Sequence, residues 1–441
     1  MTAEPATAPV RLSAGAVIPL PTLDPAAPLD DLAWLDRAIG NARVVAIGES
    51  AHYQHESFLL RHRLCRYLVE RHGFGAYAVE SGFAEGWRVD DWVRDGAGRP
   101  DRVMADGLTS LMGLWRPQRA HLEWLRQHNR TADRPVGYYG IDLPGSMVSL
   151  LPGLDAVLAH FAVAEPEFTP DPAVRATAAA FSAPSAFSAP EATAAYRALP
   201  QASKDALTAG LADLAARLGA RRLEHRRRTT AGAHERALRT LRSTVALDAM
   251  LRELARGHHD DALHHREAML ADTVEWILGR EDRIVLAAHN GHVQRCPDNL
   301  PVVRPTTLGM HLADRLGDAY LAVGTSSATG RTLNTGASFY SGTLFTDLED
   351  APRPGSLDAL LAASHDGPFA TDLRRLPPAD TATLRAATAH RYGTFYAEHD
   401  PLDAFDLLVH LPHATPAAPD TAALAHAPGE VRDAFARWRA H

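Results

Sequence analysis

Five titratable side chains, Glu49, His52, His55, Glu56 and Arg61, crowd into the short stretch that follows the apolar run Val44-Val45-Ala46-Ile47. The pattern recurs. The run AYAVES ends in Glu80, PVGYYGID in Asp142, and DRIVLAAHNGH in His289 and His292. Two later runs carry Thr325 and Ser326, then His410 and His413. Any one such ending is explained as a helix cap or turn former, but a series of endings in Glu, Asp and His points to a shared site. The chemistry follows from residue type. His52 suits a general base, because an imidazole titrates near neutral pH. Glu49, three positions earlier, suits orienting or tuning it, as does Glu80. Arg61, nine positions later in the next helix, suits holding a carboxylate or steadying negative charge on a substrate oxygen. His289 and His292 flank an Asn-Gly turn, where one serves as an acid or as a donor to a tetrahedral oxyanion. Tyr53, His55, Asp142 and Trp115 are the expected substrate contacts.

Two other chemistries could use the same residues. A Gly-x-Ser-x-Gly elbow is absent and Ser50 precedes the histidine, which argues against a serine hydrolase. Glu49, His52, Glu80, His289 and His292 are all plausible metal ligands, yet neither H-E-x-x-H nor a cysteine pair accompanies them. The expectation is a site without metal or cofactor.

Positioning such residues together requires strands that end at one edge. Six β-like runs, 42–49, 76–81, 135–142, 282–292, 319–326 and 406–413, are continuously apolar, as befits strands covered on both faces. Helix-like segments alternate with them, among them 59–73, 121–129, 198–256 and 267–279. The alternation predicts an α/β fold with a mostly parallel central sheet flanked by helices, whose ligands bind outside the carboxyl ends of the strands. The Ala-, Pro- and Ser-rich segment 164–195, with the tandem FSAPSAFSAP, reads as a loose connection into a helical insertion that covers the cleft. The basic run RRLEHRRR (221–228) in that insertion reads as a solvated face, and GRTLNTGASFYSGTLF (330–345) as turns or a hairpin. The resulting division is an N-terminal extension (1–30), a first part of the core (31–160), the helical insertion (161–260), a second part of the core (261–420) and a C-terminal tail helix (421–441).

With 441 residues, 46% of them hydrophobic, the chain has ample material for a large core. Its 45 basic and 53 acidic residues give a net charge of −8, a poor match to nucleic acid or anionic membranes. No apolar run approaches the roughly 18 residues of a transmembrane helix, and the first residues lack the pattern of a signal peptide. Cys65 and Cys296 form no disulfide framework, consistent with a cytoplasmic protein. A small molecule is the expected partner. The sequence leaves the oligomeric state open.

Taken together, these residues resemble the erythromycin esterase family. The resemblance rests on Gly48-Glu49-Ser50-Ala51-His52, on Glu56, Phe58 and Arg61, on Glu80 in VESGF, and on His289-Asn290-Gly291-His292. Gly140 and Asp142, Trp124-Leu125-Arg126 with Asn129, and Arg266-Glu267 support it over about residues 30–416. The resemblance implies hydrolysis of a macrolide lactone by a water that His52 activates, with no metal and no acyl-enzyme. Glu49, Glu80 and Arg61 would position the base and the water, and His289 and His292 would complete the site. One departure is local: the family's usual Thr-His-Gly is here Ala51-His52-Tyr53, so the pocket should be narrower or differently aimed. Asp272 also stands where asparagine is expected. Three readings remain: an ester or lactone hydrolase of a macrolide- or polyketide-type metabolite; a non-hydrolytic acid–base tailoring enzyme, such as a cyclase, using the same residues; and a non-catalytic binding protein of the same fold.

Overall fold

The structure, a computed structural model, describes residues 10–297 and 304–439. The first nine residues of the expected N-terminal extension and the last two of the expected tail lie outside the described residues. In chain order the strands are β1 (Ile18–Pro19), β2 (Val44–Glu49), β3 (Ala76–Gly82), β4 (Gly137–Asp142), β5 (Ile284–His289), β6 (Tyr320–Leu333), β7 (Phe345–Asp347), β8 (Phe369–Asp372), β9 (Ala389–Tyr392), β10 (Phe395–Glu398) and β11 (Leu407–Ala414). All six apolar runs are strands, and the architecture is the expected mixed α/β fold with a mostly parallel sheet flanked by helices. Among the described residues, no helix is long and apolar enough to cross a membrane.

The chain divides into two compact units. Among the described residues, one holds 10–74, 285–297, 304–336 and 344–417; the other holds 75–284, 337–343 and 418–439. In the first unit the strand order is β1-β8-β11-β6-β2-β5. β2 and β11 both run parallel to β6, while β8 runs antiparallel to β11. Every residue of β2 is buried, which is why Val44 to Ile47 show no polar alternation. In the second unit β3 and β4 pair in parallel, with an irregularity between Val79 and Gly82.

Two expectations give way. β6 runs on to Leu333 and β11 to Ala414, so Thr325, Ser326 and His410 lie within strands and not at their ends. His410 is fully buried and bonds the Ser326 hydroxyl at 2.7 Å, and burial pushes it down to about 3, as for a neutral core histidine. The segment 164–195 is largely helical: Pro172–Phe181 and Ala189–Ala198 each carry proline in the first turn and alanine behind it. Proline there forgoes an amide that has no helical partner anyway, and alanine is the best helix former. The expected helices of the insertion pack around Leu154, Phe161, Leu211, Leu214 and Leu247 within the second unit.

Candidate active site

The loop after β2 carries the chemistry of the first unit. Gly48 lets the strand end against a neighbour: a Cβ there would lie 2.2 Å from Asn290 Oδ1 and 3.0 Å from the Val323 carbonyl oxygen. The Asn290 amide group lies against this spot because it binds β6 twice. Its Nδ2 donates to the Thr325 carbonyl at 2.7 Å and its Oδ1 accepts from the Thr325 amide at 3.1 Å. The Ser50 amide donates to the Thr325 hydroxyl at 2.9 Å. The ends of β2 and β5 are thereby tied to one residue of β6.

On this frame a three-membered chain is assembled. Arg61, buried on the helix His55–His72, reaches Glu49 Oε2 through a terminal nitrogen at 3.3 Å, and Glu49 Oε1 accepts from His52 Nδ1 at 2.6 Å. Glu49 is 4% exposed and Arg61 3%, whereas the His52 side chain is 22% exposed, so only the imidazole end of the chain meets solvent. An ionised carboxylate accepts and cannot donate, which puts the proton on Nδ1 and the lone pair on Nε2, the tautomer a general base requires.

His289 is held differently. Its Nδ1 accepts from the Gly291 amide at 3.1 Å and its Nε2 lies 3.2 Å from the Ser50 carbonyl. The carbonyl takes only a donor, so His289 is protonated on Nε2 and both ring nitrogens are engaged by backbone. Its ring meets His52 edge-on, with centroids 5.3 Å apart, and lies 5.2 Å from the ring of Tyr392. Tyr392 bonds Gln294 Oε1 at 2.5 Å. His292 lies on the short helix Asn290–Val293, half-buried.

Tyr53 is buried next to His52 and has φ of 66°, a left-handed conformation uncommon for a residue with a bulky side chain. Glycine, usual at this position in the family that the motif resembles, adopts it without strain. His55 opens the helix His55–His72; its amide donates to the Thr415 carbonyl at 2.8 Å, while Glu56 accepts from the Thr415 amide and hydroxyl at 2.8 and 2.6 Å.

The other expected site residues belong to the second unit. Glu80 is buried and accepts from Arg266 at 3.1 Å; the same guanidinium donates to Asp142 at 2.6 and 3.0 Å. Asp142 is thus engaged by an arginine, and the opposed carboxylates hold the Arg266 charge far above the ordinary range despite its burial. Trp115 is a correction. It is fully buried, 5.2 Å from Phe435 and 5.9 Å from Trp438 between ring centroids, and offers no face to a substrate. Sequence reasoning also missed Asn290 and Tyr392 as supports of the histidines. The asparagine stood between them in the motif, but its partner lies 35 positions away.

Metal-ligand geometry arises elsewhere. Among the described residues, the sets of His, Cys, Asp and Glu whose ligand atoms lie within 4.8 Å of one another are His160, His225 and His234, and Glu253, His258 and Asp261. Neither includes Glu49, His52 or His289.

Comparison with known proteins places the chain in a family. The family model described as erythromycin esterase matches residues 69–414. The erythromycin esterase type II of Escherichia coli is 31% identical over 318 residues, 69% of this chain and 73% of that protein. The type I enzyme of Escherichia coli is 38% identical over 115 residues, 26% of this chain and 27% of that protein. Among solved structures, a Bacillus cereus protein superposes with a TM-score of 0.76 at 21% identity, covering 91% of this chain and 96% of its own. A mutant of the erythromycin esterase EreC in its open conformation superposes with a TM-score of 0.73 at 22% identity, covering 90% of this chain and 97% of its own. The extent of the family match and the identity to the type II enzyme together make this chain a member of the erythromycin esterase family, an esterase-like hydrolase of a small molecule.

Proposed function

We propose that the protein hydrolyses an ester or lactone of a macrolide- or polyketide-type metabolite, with His52 as general base. The observation that carries this reading is the Arg61–Glu49–His52 chain, buried at one end and open at the imidazole. In the proposed reaction Nε2 of His52 takes a proton from water as the oxygen attacks the carbonyl. The tetrahedral oxyanion collapses, the C–O bond to the leaving alkoxide breaks, and the proton passes from the imidazolium to that alkoxide. Glu49 stabilises the imidazolium between the two transfers, and Arg61 holds Glu49 in place. No step needs an acyl-enzyme. The substrate class is taken from the name of the 31% identical relative, and the buried Tyr53 beside the base narrows the choice among such esters.

Tyr53 also favours a second reading. Its ring lies 5.6 Å from that of His52, and a site lined this way admits less water, so a hydroxyl of the substrate could replace water as the nucleophile and give an intramolecular acyl transfer. Turnover of a macrolide panel by wild type and His52→Ala tests the base: loss of turnover with retained ligand binding is expected. Wild-type rates in His52→Ala would overturn the assignment.

A further inference from the structure

The helical part of the second unit holds a cluster that the esterase chemistry does not use. His160 lies on the helix Leu151–Ala164, His225 on Arg222–Arg228 and His234 on Ala231–Arg256. His225 sits in the basic run RRLEHRRR, yet it points inward and is fully buried, as is His234. The three ring centroids form a triangle with sides of 5.2, 5.9 and 6.1 Å. We propose that His160, His225 and His234 form a binding site for a divalent transition-metal ion of the zinc type, one that pins three helices of the second unit together.

Three features carry the proposal. His160 Nε2 and His225 Nδ1 are 3.2 Å apart, close to the separation of about 3.3 Å that two imidazole nitrogens show when each lies about 2.0–2.1 Å from one tetrahedral zinc ion. His234 is 0% exposed and neither of its ring nitrogens has a hydrogen-bond partner. A buried imidazole left so forfeits free energy unless something else takes its lone pair. The third feature lies behind the cluster. With Nδ1 of His225 turned to the ion, its Nε2 faces Glu165 at 3.5 Å, and Glu165 is itself held by Arg217 at 2.9 Å and by Arg221 at 3.2 Å. A ligating histidine backed by an anchored carboxylate is the usual outer shell of a protein zinc site.

The surroundings fit as well. Phe161 packs edge-on against His225, and the tilted ring of Phe168 lies 5.0 Å from that of Phe161, so the cluster is walled on one side by aromatic carbon. His160 is only half-buried, so the cluster can be reached from solvent. A neutral hydrogen bond between His160 and His225 accounts for their own separation, but it leaves both nitrogens of His234 unexplained.

The test uses full-length, tag-free protein stripped with a chelator and titrated with zinc alone by calorimetry, then with cobalt by visible absorption. Expected is about one equivalent of tightly bound zinc per chain, tetrahedral cobalt bands, and a thermal midpoint raised on the order of 5 °C in excess zinc. Both His160→Gln and His234→Gln should weaken binding by about a hundredfold or more, while His52→Ala should bind as wild type does. If His234→Gln does not fold, His160→Gln, altered at a partly exposed ring, carries the comparison. An absence of zinc binding in the wild type, or binding unchanged in His160→Gln, would overturn the proposal, as would binding lost in His52→Ala and kept in His160→Gln.

Discussion

Exchanging Glu49 for glutamine tests the proposed base without removing a single heavy-atom contact. Arg61 donates to Glu49 Oε2 at 3.3 Å, so the amide oxygen of the variant must take that position. The amide nitrogen then faces His52 Nδ1, 2.6 Å away in the wild type, and a donor there requires a lone pair on Nδ1. The proton moves to Nε2 and the base points the wrong way. Restoring the active tautomer would set two donors against each other, at about 1–3 kcal/mol, and the imidazolium also loses a charged hydrogen bond of about 1.5–3 kcal/mol. The sum, roughly 4 kcal/mol, corresponds to about a thousandfold in rate at ~1.4 kcal/mol per decade. The same carboxylate-to-amide exchange behind the histidine of a serine-protease triad costs about 10⁴. Steady-state kinetics on a macrolide that the wild type opens give the rate, and nitrogen chemical shifts of a labelled His52 ring report the tautomer. Retention of Nδ1–H in Glu49→Gln, or a rate within tenfold of wild type, would refute this chain of reasoning.

Other perturbations probe the frame around the base. Gly48→Ala places a methyl 2.2 Å from Asn290 Oδ1, so the two bonds to Thr325 must break or the strands must part. A loss of about 3 kcal/mol or more in urea-unfolding free energy is expected, and a loss under 1 kcal/mol would show that the contact is soft. Glu80→Gln leaves the Arg266 bonds to Asp142 in place, so stability should change little, while the expected role of Glu80 in positioning the water makes turnover fall by about two orders of magnitude; unchanged turnover would contradict that role. Acid stability follows from buried imidazoles. Burial pushes His62 and His399 to about 4 and His410 to about 3, so the folded chain keeps them neutral while the unfolded chain protonates them below its ordinary value. Stability is therefore complete above pH of about 6.5 and is lost as pH falls toward about 4, at up to ~1.4 kcal/mol per pH unit for each group. Unfolding midpoints that do not move between pH 7 and 5 would contradict this.

What was legible in the sequence follows from how local each feature is. The six strands stand out because burial on both faces writes an unbroken apolar run, as in β2. The bond from Glu49 to His52 spans three residues and is fixed largely by the loop itself. Trp115 misled because its burial depends on Phe435 and Trp438, some 320 positions later. Thr325, Ser326 and His410 looked like strand ends because polar residues usually close an apolar run, but here Ser326 and His410 hydrogen-bond each other and the Thr325 hydroxyl takes the Ser50 amide just beyond β2. The strands β8, β9 and β10 are four residues each and carry no comparable signal, which hid Tyr392 behind His289. The convergence of His160, His225 and His234 is set by the packing of three helices and leaves no pattern in the chain.

The most direct test of the proposed hydrolysis is mass spectrometry of the products formed from a panel of macrolides and simpler lactones in heavy-oxygen water. A ring-opened acid carrying one heavy oxygen is expected, formed by the wild type and absent with His52→Ala. An isomeric or dehydrated product without the label, or a labelled product that His52→Ala forms equally fast, would contradict it.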